Sequence, residues 1–355
     1  MKYFTVGPTQ NHPLFEKHLA EALKKDVHQV SHRSAYFTEM YKELTSKVKK
    51  LFKAPNDFDT VFLGSATEFM ERTIQNMSTR ETLHLVPGNF AERAYIFAKT
   101  AGRKAVRVDA RPDGSFSLSD IPHDAQPELI FLTHSETSVG SQMPKAFIES
   151  LCNRFPHALF AIDVVSSAPA ADIPIARMDC TFFSVQKGMG LPAGLGVGML
   201  SPRALQFSQG IFSEGTYNGL FHSFPSLVKQ GREYKTLETP NVLLMHLLNE
   251  DIKAMLRKGV ATIRKEQKEK AKILYAAIES SRIVSPSITS KAWRSETVIV
   301  ANTPAGSKPL IEAIKKKGIL IASGYNKDKD VKVRIGNFPQ HSKKDIETIA
   351  RILKG

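Results

Sequence analysis

The side chain in this sequence with the clearest chemical potential is Lys187, in the stretch FFSVQKGMG from Phe182 to Gly190. A β-rich apolar run stops at Ser184, and one lysine follows beside Gly188 and Gly190, where no core needs a charge. A lysine enclosed in a cleft tends to lose its proton, and the neutral amine can condense with an aldehyde. The two glycines read as backbone room to bend towards a ligand. Upstream, Asp163 closes the apolar run ALFAID. A carboxylate at the tip of such a strand needs a cation or a hydrogen-bond donor. The run DTVFLGSATEFMERTIQN supplies a third piece: strand, small-residue turn, helix. It sets the amides of Ser65, Ala66 and Thr67 at a helix N-terminus, where free N–H groups and partial positive charge hold a phosphate. Phe90, in VPGNF after another strand, offers a flat apolar face.

Each feature has an ordinary structural explanation when taken alone: a surface lysine, a turn-forming aspartate, a tight strand-to-helix joint. Taken together they complement one ligand, pyridoxal 5'-phosphate, with an aldehyde for Lys187, a pyridine nitrogen whose proton Asp163 sustains, and a phosphate for the cradle. GLGVG at 194–198 is not a dinucleotide fingerprint, because it runs into a strand instead of opening a helix.

These residues must be held by the elements around them. From about Thr60 to Pro202, continuous apolar strands alternate with helical patterns, as in ETLHLV followed by FAERAYIFAKTAG. That pattern predicts an α/β fold with a mainly parallel mixed sheet covered by helices on both faces. Ligands of such sheets collect beyond the carboxyl ends of the strands, where Asp163 and Lys187 both fall. After Pro240 the pattern is helical almost throughout, with a break at Gly259, and then come strands at SETVIVAN and DVKVRIGN with helices at KPLIEAIKKKG and SKKDIETIARIL. We expect a large cofactor-binding domain over residues 15–245, residues 1–14 as an N-terminal segment, and a smaller C-terminal α+β domain over 246–355.

Composition narrows the class. The chain has 355 residues, 42% hydrophobic and 24% charged, with no unbroken apolar run of membrane-spanning length. Its start has no apolar signal-peptide core, and its two cysteines, Cys152 and Cys180, lie in helix-like and strand-like patterns as small buried hydrophobes. A cytoplasmic protein without membrane partners is expected. The net charge of +14 is spread over amphipathic helices without aromatic interleaving, so nucleic acid is not an expected partner and no metal site is evident.

With these residues in place, the chain resembles the class V aminotransferases of the fold type I pyridoxal-phosphate enzymes, and among them the phosphoserine aminotransferase branch. The likeness runs from VGPT at Val6 to VRIGN at Val333. It implies that Lys187 in SVQKG is the residue condensing with the cofactor, with Gln186 beside the phosphate. Asp163 in AIDVVSS then takes the pyridinium contact, Ala66 and Thr67 form the phosphate turn, and Thr137 in SETSVG lies beside the ring. Phe90 stands where that branch carries a stacking tryptophan. Thr239 in LETPN matches a threonine reaching the phosphate from another subunit, so the resemblance implies a homodimer. Arg33, assisted by His32 in SHRS, matches the ligand of the substrate's distal anion, and Arg334 in VKVRI matches the holder of the α-carboxylate. The pattern of Phe37, Tyr41, Leu44, Val48, Leu51 and Phe52 on one helical face independently sets His32 and Arg33 at a helix N-terminus suited to anions.

The activity this implies is transamination between glutamate and 3-phosphohydroxypyruvate, giving phosphoserine in serine biosynthesis. Two departures point elsewhere. Glu238 replaces an asparagine before Thr239, and Tyr325 and Asn326 replace a His-Arg pair that completes the branch's phosphate clamp, leaving Lys327 or Lys329 as the cations at hand. An unphosphorylated acceptor such as pyruvate, glyoxylate or hydroxypyruvate is the alternative. A cysteine-desulfurase-type lyase ranks below it, since neither cysteine sits on a loop suited to that chemistry. A non-catalytic basic scaffold would not require Lys187, Asp163 and Thr67 together.

Overall fold

A computed structural model describes residues 1–213 and 221–354. Seven strands form the central sheet: β1 (Asp59–Leu63), β2 (Glu81–Val86), β3 (Lys104–Asp109), β4 (Leu129–Thr133), β5 (Leu159–Asp163), β6 (Cys180–Ser184) and β7 (Gly196–Leu200). Their spatial order is β1-β7-β6-β5-β4-β2-β3. Only β7 is antiparallel to its neighbours, in register Val197 opposite Phe183 and Phe62, so the other six strands end at one edge of the sheet.

The apolar runs are continuous because both faces are covered. Along β5, Phe160 and Ile162 join one core cluster, with residues of the helices Ala35–Phe52, Lys145–Arg154 and Val242–Lys258. Leu159 and Ala161 join the opposite cluster, with the helices Ala66–Met77, Asn89–Thr100 and Phe224–Arg232. This period-two division of one strand between two cores is what sets the register of the whole layer.

The helical stretch after Pro240 breaks where expected. The helix Val242–Lys258 ends at Gly259, whose φ of +87° suits glycine, and Val260–Glu279 follows. Beyond it, Val298–Asn302 and Lys332–Gly336 pair antiparallel within a four-stranded sheet, and Ser307–Lys315 and Lys343–Lys354 are helical. Ile299, Ala301, Val333 and Ile335 pack with Leu274, Ile314 and Ile349 in a third cluster. That cluster also holds Phe4, because the N-terminal Lys2–Tyr3 runs parallel to Ile319–Leu320. The start of the chain is thereby drawn across to its C-terminal part, and residues 5–8 pass over the edge where the parallel strands end.

Both cysteines are free and buried, and burial pushes the thiols up, to about 11 for Cys152 and about 12 for Cys180, as expected for inert packing groups. Among the described residues no helix is long and apolar enough to cross a membrane.

Candidate active site

A cavity of about 450 Å³ opens beyond the ends of the parallel strands, a size typical of small-molecule sites. It is lined by Ser65, Ala66, Thr67, Phe90, Thr137, Asp163, Gln186, Lys187 and Arg334. Thus β1 delivers the small-residue turn, β2 the phenylalanine, β4 the threonine, β5 the aspartate and β6 the lysine. A larger cleft of about 720 Å³ at the other end of the sheet contains Arg80, Arg154 and Arg203. All three are engaged there, with the Glu128 carboxylate, the Ile121 carbonyl and the Ala158 carbonyl respectively.

Lys187 is almost fully buried, and its Nζ lies 2.8 Å from Thr137 Oγ1 and 2.7 Å from Ser166 Oγ. Burial lowers its pKa to about 8; Asp163 and Glu136 oppose that shift, and Arg334 adds to it. An amine in this setting gives up its proton far more readily than an exposed lysine, and hydroxyl partners accept from its charged form or donate to its neutral one. Asp163 is pushed up to about 6 by burial, against a hydrogen bond from the Val165 N–H at 2.8 Å and the charge of Lys187. Its Oδ2 has no hydrogen-bond partner among the described residues. The Phe90 ring faces the lysine, with Nζ 5.3 Å from its centroid.

At the helix Ala66–Met77, Ser65 is the N-cap, accepting from the Glu68 N–H. The amides of Ala66 and Thr67 have no partner among the described residues, which is the arrangement that accepts an anion. An aldehyde-reactive amine, a buried carboxylate with one unpaired oxygen, an aromatic face and free helix amides around one cavity fit pyridoxal phosphate.

The glycines beside Lys187 have a different role from the flexibility expected of them. A Cβ on Gly188 would lie 1.9 Å from the Ala168 carbonyl oxygen, and one on Gly190, at φ +70°, would lie 2.5 Å from the His12 backbone nitrogen. They permit close backbone approach, which locks the lysine loop instead of loosening it. Gly7 does the same from the other side, since a Cβ there would sit 2.6 Å from Lys187 Cε.

Arg334 is half-buried; its Nε donates to the Ser323 carbonyl at 2.8 Å, and its guanidinium lies 5.2 Å from the Tyr325 ring. Burial lowers its pKa from the usual arginine value. Tyr325 also meets Phe90, at 5.5 Å between ring centroids, and Asn326 donates to Asn89 Oδ1 at 3.1 Å. Of the residues read as departures from the family pattern, Tyr325 forms part of the cavity wall. Neither Lys327 nor Lys329 lines it; Lys327 faces a neighbouring groove with Asn89 and Arg107.

Three expected site residues are not brought to the cavity of this chain. Arg33 and Thr239 are exposed and His32 is half-buried, all outside the lining, although Ser34 does cap the helix Ala35–Phe52 as the pattern predicts. Glu238 lies beside His222, with its Oε2 3.1 Å from the imidazole Nε2.

Sequence reasoning also missed contributors. Thr5, Val6, Gly7 and Pro8 wall the cavity, and Ser166 bonds Lys187. Glu136, fully buried, accepts from the Phe90 and Ala91 amides at 3.0 Å and from Ser138, so it fixes the helix that carries Phe90. Gln340 donates to the Lys187 carbonyl at 2.8 Å. Of these, Ser166 and Glu136 carried a signal, since each flanks a residue singled out at a strand end.

The chain matches the family described as aminotransferase class-V over residues 11–336. It is 36% identical to a solved phosphoserine aminotransferase from Cytophaga hutchinsonii, covering 99% of this chain and 98% of that one, with a TM-score of 0.96. A phosphoserine aminotransferase from Rhodococcus opacus is 27% identical over 357 aligned residues, 98% of this chain and 93% of the relative. An alanine–glyoxylate aminotransferase from Nostoc shares the fold at a TM-score of 0.83 and 21% identity, covering 100% of this chain and 95% of that one. With the match spanning most of the sequence, this chain belongs to the class-V aminotransferases, and it is a transaminase whose cofactor is pyridoxal phosphate.

Proposed function

We propose that this transaminase moves an amino group from glutamate to 3-phosphohydroxypyruvate, in a cavity organised by Lys187. The observation that carries the site assignment is the buried, readily neutralised Nζ of Lys187 between Thr137 and Ser166. Bound there, pyridoxal phosphate supplies an aldehyde that takes up the amino group and a ring that accepts electron density from the substrate's α-carbon. Lys187 Nζ takes and returns the substrate's α-proton, a general acid–base role that a pKa near 8 suits. With the cofactor bound, Asp163 Oδ2 would hold the proton on its ring nitrogen, the Ala66 and Thr67 amides, with Ser65 and Gln186, would receive its phosphate, and Phe90 would offer it a flat apolar face. Arg334, anchored through Nε, presents its two Nη groups to the α-carboxylate.

Thr239, Arg33 and His32 lie outside the cavity of their own chain, which supports a homodimer in which a second copy delivers them. Arg33 then meets the distal anion, and Arg33→Ala is expected to act mainly on KM. The two free, buried cysteines support a cytoplasmic setting, and the relatives' names support a place in serine formation. Core packing of the helix Val242–Lys258 with the large sheet supports a domain boundary at Gly259 in preference to 245.

A second reading, an unphosphorylated keto acid, is favoured by one observation: Tyr325 occupies the cavity wall, and neither Lys327 nor Lys329 lines the cavity. The test is kcat/KM for 3-phosphohydroxypyruvate, pyruvate, glyoxylate and hydroxypyruvate, each with glutamate, alanine and serine as donors. Preference for the phosphorylated acceptor is expected. A win for an unphosphorylated one by more than about tenfold, about 1.4 kcal/mol in the transition state, replaces the first reading with the second.

A further inference from the structure

The helix Ala66–Met77 carries an acidic residue, Glu68, in its first turn, next to Thr67 in the cavity wall. Glu68 Oε2 accepts from the Gly64 N–H at 3.2 Å, so the carboxylate curls back over the helix N-terminus. A negative side chain there stabilises the helix, but it occupies the same positive end that a phosphate needs. Its other oxygen, Oε1, lies 2.6 Å from His222 Nδ1, and His222 Nε2 lies 3.1 Å from Glu238 Oε2. Among the described residues, neither Glu68 nor Glu238 forms an ion pair with a lysine or an arginine.

We propose that His222 is a positioning residue for the cofactor phosphate: by engaging Glu68 Oε1 in a hydrogen bond, it limits the negative charge that this carboxylate presents to the helix N-terminus and keeps the Ala66 and Thr67 amides open to an anion. The proposal rests on reading that terminus as the phosphate cradle. His222 lies outside the cavity lining and acts through its hydrogen bond to Glu68.

Equilibrium dialysis of pyridoxal phosphate and of pyridoxal, which lacks the phosphate, tests it on the full-length protein. The wild type is expected to favour the phosphorylated form. His222→Gln should weaken pyridoxal phosphate about tenfold, the scale of one charge-assisted contact, and leave pyridoxal within about twofold. Adding Glu68→Gln should recover most of the loss. Equal weakening of both ligands, or a loss that Glu68→Gln does not suppress, overturns the proposal, as does an unchanged preference in His222→Gln. A wild type without phosphate preference removes the cradle reading along with it. Should His222→Gln not fold, Glu68→Gln alone decides: it should tighten pyridoxal phosphate relative to pyridoxal, and a relative affinity that stays the same or falls overturns the proposal.

Discussion

Two lysines of this chain are buried to nearly the same degree, and burial lowers both to a pKa of about 8, yet they stand in opposite chemical situations. Lys187 faces two hydroxyls, Thr137 and Ser166, at the edge of a cavity. Lys270 faces two backbone carbonyls, Phe338 O at 2.8 Å and His341 O at 2.9 Å, within the C-terminal part of the fold. Carbonyls only accept, so Lys270 must remain a donor and acts as a clamp on the turn before the last helix. Hydroxyls accept or donate, so the Lys187 amine can gain and lose a proton without leaving a buried group unpaired. A depressed pKa therefore does not identify a reactive amine; its partners and its access to a cavity do.

The largest effect expected separates the two lysines by function. Lys187→Ala should lower steady-state transamination by roughly 10⁴-fold or more without lowering folding stability, because the substitution removes a desolvated amine along with the reactive group. Asp163→Ala should cost roughly 10²- to 10⁴-fold in kcat, read in the same assay, since the ring nitrogen loses the carboxylate that keeps it protonated. Lys270→Met should do the reverse of Lys187→Ala. It leaves the buried His341 carbonyl without a donor and removes one of the two donors to the Phe338 carbonyl, so urea unfolding of the cofactor-loaded protein should show a loss of about 1–3 kcal/mol, with kcat held to within about twofold.

The smallest effect is a dependence on pH. The Lys270 value of about 8 in the folded protein lies below the ordinary 10.5. Between these two values the unfolded chain binds more protons, so this lysine's contribution to stability rises with pH across that window and is flat below it. The stability gap between wild type and Lys270→Met should therefore widen from pH 8 to pH 10.5. A constant gap would show that burial does not depress this amine.

Much of the scaffold was legible, for identifiable reasons. Buried parallel strands are continuous apolar runs, so ETLHLV and ALFAID announce themselves, and Gly259 marks a helix break because its backbone needs a positive φ. Strand-end placement then located Asp163 and Lys187 by the geometry of parallel sheets. Contacts between remote segments leave no local pattern, which is why Thr5–Pro8 and Gln340 were not found. Tyr325 was noticed only as a mismatch, although Gly324 and Asn326, at φ +46°, build the turn that presents it to Phe90 and Arg334. Lys270 was hidden for another reason. In RKEQKEKAKIL it reads as one more solvated charge, and only its spacing with Ile263, Gln267 and Leu274 sets it on the buried face of the helix.

The central claim is that Lys187, not any other buried amine, receives the cofactor. It is tested most directly by loading the protein with pyridoxal phosphate, reducing with borohydride, and locating the modified lysine by peptide mass spectrometry. A single modification on the peptide containing Lys187, absent in Lys187→Ala and unaffected by Lys270→Met, is the predicted result. Modification at Lys270 or at surface lysines with Lys187 untouched would contradict it.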